Sequence, residues 1–214
     1  MITTRSLAAL MLALSIFTPC QSWGDELSLS YFPLKEGLRW EYSVISDQSP
    51  TKKLLIANLA PREVKGVKVT PRKWELDGSL FIEFMKQDET GIYRYAEQKG
   101  DSGAPSLITP LECHLKFPIA EGNSWTMAAK VGNSTVNLSL TIESLSDDVK
   151  VPAGTFKDCV KVKQAGENDG TSIIGYEWYA PRVGVVKSLV TIKQKSKEGL
   201  KSETRTYQLV SFKP

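Results

Sequence analysis

Few residues in this chain could do chemistry, and they are scattered. There is one histidine, His114, and there are three cysteines, Cys20, Cys113 and Cys159. Histidine is the side chain most readily used as a base near neutral pH, and it is the commonest metal ligand. Nucleophilic catalysis needs such a base held beside the nucleophile. Cys113 directly precedes His114, and consecutive side chains on a strand point to opposite faces, so the pair does not make a dyad on a regular strand. A zinc site needs four gathered ligands, which one histidine and the cysteines supply poorly. No metal is expected.

Carboxylates are more numerous. Asp88-Glu89 and Asp147-Asp148 read as loop charges, whereas Glu83 and Glu177 lie inside the apolar and aromatic runs 80–85 and 176–179. Two carboxylates can hydrolyse a glycoside, so an envelope glycan-acting hydrolase using Glu177 or Glu83 is one reading. The competing reading, a carboxylate paired with a cross-strand Lys or Arg, is preferred. No phosphate loop or dinucleotide fingerprint occurs. No catalytic residue and no cofactor is therefore expected. Lys+Arg number 27 against Asp+Glu 24, a net charge of +3, and so small an excess does not support nucleic-acid binding. With 41% hydrophobic and 24% charged residues the chain has the balance of an ordinary globular protein rather than of a disordered one.

The N-terminus reads as a secretory signal: Arg5, then the apolar run LAALMLALSIF over residues 7–17, then Pro19 and small residues. The run is shorter than the roughly 20 residues that a membrane-spanning helix needs, and no later segment is long enough, so no transmembrane span is expected. The reading is a signal peptide over 1–22 and a single β domain over 23–214, exported to the periplasm or the outer membrane of a bacterium. A lipid anchor at Cys20 is disfavoured, because Phe17 and Pro19 fit a lipobox badly. Once Cys20 is removed, Cys113 and Cys159 either form one disulfide or stay as free thiols; the residues leave both open.

The elements that must position these residues are announced by a repeat. FPLKEGLRW (residues 32–40) returns as FPIAEGNSW (residues 117–125), with Phe, Pro, Glu, Gly and Trp at identical spacing. Proline extends the residue before it, Glu-Gly makes a turn in which glycine takes positive φ, and Trp opens a strand. After Trp40 the apolar set is Tyr42 and Val44; after Trp125 it is Met127, Ala129 and Val131. Val136, Leu138, Leu140 and Ile142 alternate with polar residues, the period of a half-buried strand. The chain thus divides into two related β units, about 28–103 and 107–214. Short helices are expected at most near the mature N-terminus and over 109–116. The runs 80–85 and 176–179 are apolar on both faces, so either a second layer covers them or the sheet curls around a cavity.

Two further strings, VPAGTFKDCVKV (151–162) and YEWYAPRVGVVK (176–187), resemble those of secreted bacterial proteins of unknown function that carry a repeated FPLxxGxxW motif. That resemblance implies a fold similar to the half-open β-barrel of the periplasmic lipoprotein carrier and its outer-membrane receptor. It brings no catalytic residues. The fold expected is all-β, a curved antiparallel sheet or half-open barrel. The function expected is non-enzymatic binding of an apolar ligand (a lipid or lipoprotein segment) or of an envelope partner protein. The candidate lining residues are Trp40, Tyr42, Phe84, Trp125, Met127, Trp178 and Tyr179. A purely structural module, its interior filled by its own side chains, is the third reading.

Overall fold

The computed structural model describes residues 31–131, 134–168, 170–196 and 199–214. The expected signal segment over 1–22 and Cys20 lie outside the described residues. The rest is strand and turn: β1 (Arg39–Ser46), β2 (Lys52–Asn58), β3 (Arg62–Val64), β4 (Val67–Leu76), β5 (Ser79–Asp88), β6 (Gly91–Lys99), β7 (Ser106–Lys116), β8 (Ser124–Val131), β9 (Ser134–Val151), β10 (Gly154–Asn168), β11 (Thr171–Ala180), β12 (Gly184–Ser196) and β13 (Gly199–Lys213). Among the described residues there is no helix. The segment 109–116, where a short helix was allowed, is strand, the last eight residues of β7. Pro110 suits that strand because β7 ends the sheet, where a missing N–H breaks no ladder.

All pairings are antiparallel, and the order is β7-β6-β5-β4-β2-β1-β13-β12-β11-β10-β9-β8, with β3 paired to β4 off this path. The sheet curls until its two ends nearly meet. The order falls into two six-stranded halves, β1 to β7 without β3, and β8 to β13, so that β7 stands in the first half and not in the unit expected from residue 107 onward. The halves are laced together where the first strand of one meets the last strand of the other: β1 runs against β13 from Arg39↔Lys213 to Ser46↔Arg205. The equivalent junction, β7 against β8, carries no ladder. There the Trp125 indole N–H donates to the Cys113 carbonyl at 2.8 Å and the Lys116 ammonium to the Ser124 carbonyl at 3.3 Å. The result is a barrel with one open seam.

The repeated motif builds the same junction twice. Gly37 and Gly122 have φ of 87° and 80°, which glycine adopts without a Cβ clash. The Gly37 N–H donates to the Asn58 carbonyl (3.1 Å) and the Asn58 N–H to the Leu38 carbonyl (2.9 Å). In the second copy the Gly122 N–H donates to the Ile142 carbonyl (2.8 Å) and the Ile142 N–H to the Asn123 carbonyl (3.0 Å). Trp40 and Trp125 then start strands with the indole inward, each bonded to a distant backbone carbonyl: Val183 at 2.7 Å for Trp40, and Cys113 for Trp125.

Alternation sets which side chains enter the barrel. Trp40, Tyr42 and Val44 are buried on β1, and Val136, Leu138, Leu140 and Ile142 on β9. The doubly apolar run in β5 is explained by a second layer: Ile82 and Phe84 pack outward against Val64 of β3 and Val69 of β4, while Glu83 and Met85 face the interior side. The interior holds two apolar clusters. One gathers Phe32, Ile92, Leu115, Trp125 and the β9 row; the other gathers Trp40, Tyr42, Leu54, Ile56 and Leu209.

Candidate ligand cavity

Inside the barrel lies a cavity of about 280 Å³. Its walls come from both units: Tyr42, Leu54 and Ile56 from β1 and β2, Arg72 and Trp74 from β4, Glu83 from β5, His114 from β7, and Gln164, Glu177, Tyr179 and Ser188 from β10 to β12. Phe32, from the first copy of the repeat, closes one side, its ring centroid 6.2 Å from that of His114 and 6.3 Å from that of Tyr179.

Arg72 is 3% exposed. Strand alternation forces it inward, between Thr70 and Trp74, because the opposite face of β4 carries Val69 to the outer cluster. Its guanidinium carbon lies 4.8 Å from the Phe32 ring centroid and 4.5 Å from that of Trp40, within cation–π range of both. It makes no hydrogen bond or ion pair with any described residue, and its Nε is sealed and unpartnered. Burial draws its pKa down, while Tyr42, Glu83, Tyr179 and Glu177 draw it back up.

The two carboxylates of the hydrolase reading line this same cavity. Burial pushes the Glu83 carboxyl up, against the opposing pull of Arg94 and Arg72. Arg94 lies 3.4 Å from Glu83 and also pairs with Glu97 and Glu112, so Glu83 has the cross-strand arginine that the sequence suggested. Burial also pushes Glu177 up, against a hydrogen bond from the Tyr179 hydroxyl and the charge of Arg72. Tyr179 is itself raised, by burial and then by Glu177. Its residue is fully buried.

His114 reaches the cavity because β7 is irregular there. The register steps from Ile92↔Leu115 to Tyr93↔Cys113, which leaves His114 unpaired across the ladder. Such a bulge re-aims a side chain. Its Nε2 is sealed and has no partner. Burial, and then the charges of Arg94 and Arg72, push its pKa down to about 3, so the ring is neutral across the physiological range.

The expected lining residues separate. Tyr42 and Tyr179 face the cavity, the Tyr42 hydroxyl donating to the Val185 carbonyl at 2.7 Å. Trp40 stands behind Arg72 in the second cluster, and Phe84 is in the outer layer under Arg62. Trp125 and Met127 belong to the cluster beside the seam. Trp178 points outward: its indole donates to the Asp147 carboxylate at 2.9 Å, and Lys161 and Lys187 lie over its ring. Cys113 and Cys159 are free, buried and in different clusters, so of the two alternatives left open the free thiols are what the structure contains. Among the described residues no group of three His, Cys, Asp or Glu side chains gathers as a metal site would.

Arg72, Trp74 and Phe32 are among the cavity residues that sequence reasoning missed. The pattern Thr70-x-Arg72-x-Trp74 on one strand face was the available signal, but the opposite face, Val67, Val69 and Pro71, is just as apolar.

Residues 120–202, less than half of the chain, match the family model described as DUF3108-like. Two solved structures are similar. One is a protein from Bacteroides fragilis named for export and a YmcC-like fold, 19% identical, covering 86% of this chain and 98% of its own at a TM-score of 0.43. The other, from Parabacteroides distasonis and named for a lipoprotein, is 16% identical with the same coverage and a TM-score of 0.39. Among curated proteins there is no match.

Proposed function

We propose that this is an exported, non-enzymatic envelope protein that binds an apolar ligand, a lipid or a lipoprotein segment, inside its curved sheet. One observation carries the reading: the interior is filled from two sides by separate apolar clusters, yet about 280 Å³ between them is left open. A barrel serving only as a scaffold gains by filling such a space with its own side chains, since wall atoms without neighbours forfeit packing contacts. The volume sits at the small end of ligand pockets, roughly 300–1,000 Å³, and suits one acyl chain of medium length. Export rests on the signal-like residues 1–22.

The test is to purify protein expressed from the full chain and titrate it with a fluorescent fatty-acid probe, alongside native mass spectrometry. A saturable signal and a copurifying lipid are expected. No saturable signal and no bound mass would leave the filled interaction module in its place. A second reading draws on Glu83 and Glu177 sharing the cavity with raised pKa values, a condition that suits a general acid. It requires turnover of an envelope glycan that Glu177→Gln abolishes; an inert wild type removes it.

A further inference from the structure

Arg72 is the least explained group in the molecule. An arginine keeps its charge in proteins and offers five N–H donors in a rigid fork. A buried charge is ordinarily paired and hydrogen-bonded, because desolvating it alone is costly. Here the two aromatic faces of Phe32 and Trp40 flank the guanidinium and leave its N–H edge without an acceptor. The nearby carboxylates are otherwise engaged: Glu83 by Arg94, Glu177 by the Tyr179 hydroxyl.

The orphaned atoms cluster. Five buried side-chain polar atoms among the described residues lack a partner, and three of them, Arg72 Nε, Trp74 Nε1 and His114 Nε2, belong to residues lining this one cavity. Trp74 Nε1 is near enough to Glu83 to help hold its carboxyl down, but makes no hydrogen bond of good geometry. Two of the three are obligate donors, and neutral His114 can present its Nε2 as a third. All three are closed to water in the resting structure, so a guest meets them only as the wall adjusts; the planar fork of Arg72 matches a carboxylate. Glu83 and Glu177 on the same walls oppose a guest's negative charge, and a doubly charged phosphate more than a singly charged carboxylate.

We propose that the cavity holds the carboxylate end of an acyl chain, with Arg72 as its principal partner and Trp74 and His114 donating beside it. The chain would lie along Leu54 and Ile56. This rests on the ligand-binding reading above and specifies the head group of that ligand.

The experiment compares decanoate, decanol and decylammonium as competitors of the fluorescent probe, on protein from the full chain and on Arg72→Gln and Trp74→Phe variants whose folding is checked by circular dichroism. Wild type should prefer decanoate over decanol by about ten- to a hundredfold, the range for hydrogen bonds to a charged group, and should take decylammonium worst. Arg72→Gln should lose the preference for decanoate over decanol, and Trp74→Phe should reduce it. Equal affinity of wild type for decanoate and decanol overturns the head-group proposal and leaves ligand binding standing. Failure of all three competitors and of the probe overturns ligand binding itself. If Arg72→Gln does not fold, the wild-type series and Trp74→Phe still decide: a preference untouched by Trp74→Phe, or absent from wild type, sinks it.

Discussion

Burial decides what each titratable side chain of the interior does. An unfolded histidine takes its proton near pH 6.5, while His114 in the folded chain takes it only at about 3. Between those values protons bind the unfolded chain preferentially, so stability is lost as pH falls through 6.5. Glu83 and Glu177 act in the opposite direction, because their raised pKa values let the folded chain take up protons sooner. Comparing wild type with His114→Asn isolates the histidine. By urea unfolding, wild type should lose about 2 kcal/mol relative to the variant between pH 7 and about pH 4.5; a constant difference refutes a ring held neutral in the folded chain. The thiols follow the same logic. Burial pushes Cys113 up to about 11 and Cys159 up to about 12, and the thiolate is the reactive form. Alkylation at neutral pH, read by peptide mass mapping, should spare both in the native protein and label both after denaturation. Linked cysteines would label in neither state without reductant.

At the scale of strands, the two junctions between the halves differ in kind. β1 and β13 are each paired on both sides, with β1 also laced to β2 and β13 to β12. β7 has a partner on one side only, and residues 108–111 within it have no partner even there. Amide exchange should therefore be fastest in 106–111 of β7 and along β8, and slowest in β1 and β13, because protection follows ladder hydrogen bonds and burial. Uniform protection of β7 and β1 would mean that the seam is closed in solution. Much of this level was legible beforehand. The alternation in 40–44 and 136–142, and the shared Phe-Pro…Glu-Gly…Trp turns, follow from local rules that each segment obeys by itself. The seam was not legible, because being an edge is a property of pairing rather than of composition. Nor was His114's inward aim, which depends on a one-residue bulge that reverses the face read from alternation.

Across the whole molecule, the cavity was located only in part, by Tyr42 and Tyr179. Aromatic residues suggested its walls, yet Trp178, Phe84 and Trp125 serve the outer surface, an outer layer and the seam. A strand apolar on both faces does not reveal which face is which, and here the polar side chains Arg72, Glu83, Glu177 and Ser188 mark the interior space. The division of labour follows from the topology. Two six-stranded meanders, each unable to enclose a space alone, make one by meeting edge to edge.

The missing ladder between β7 and β8 has a mechanical meaning. In a closed barrel the number and stagger of the strands set the bore, and widening it breaks main-chain bonds around the full ring. A ring with a single cut behaves as a spring clip. Its circumference can grow by parting one line, held here by the Trp125 and Lys116 contacts, while every other strand of the ring keeps both neighbours. The interior volume is then a property of a clasp made of two side chains, and a guest somewhat larger than the resting space could be admitted without unfolding any strand.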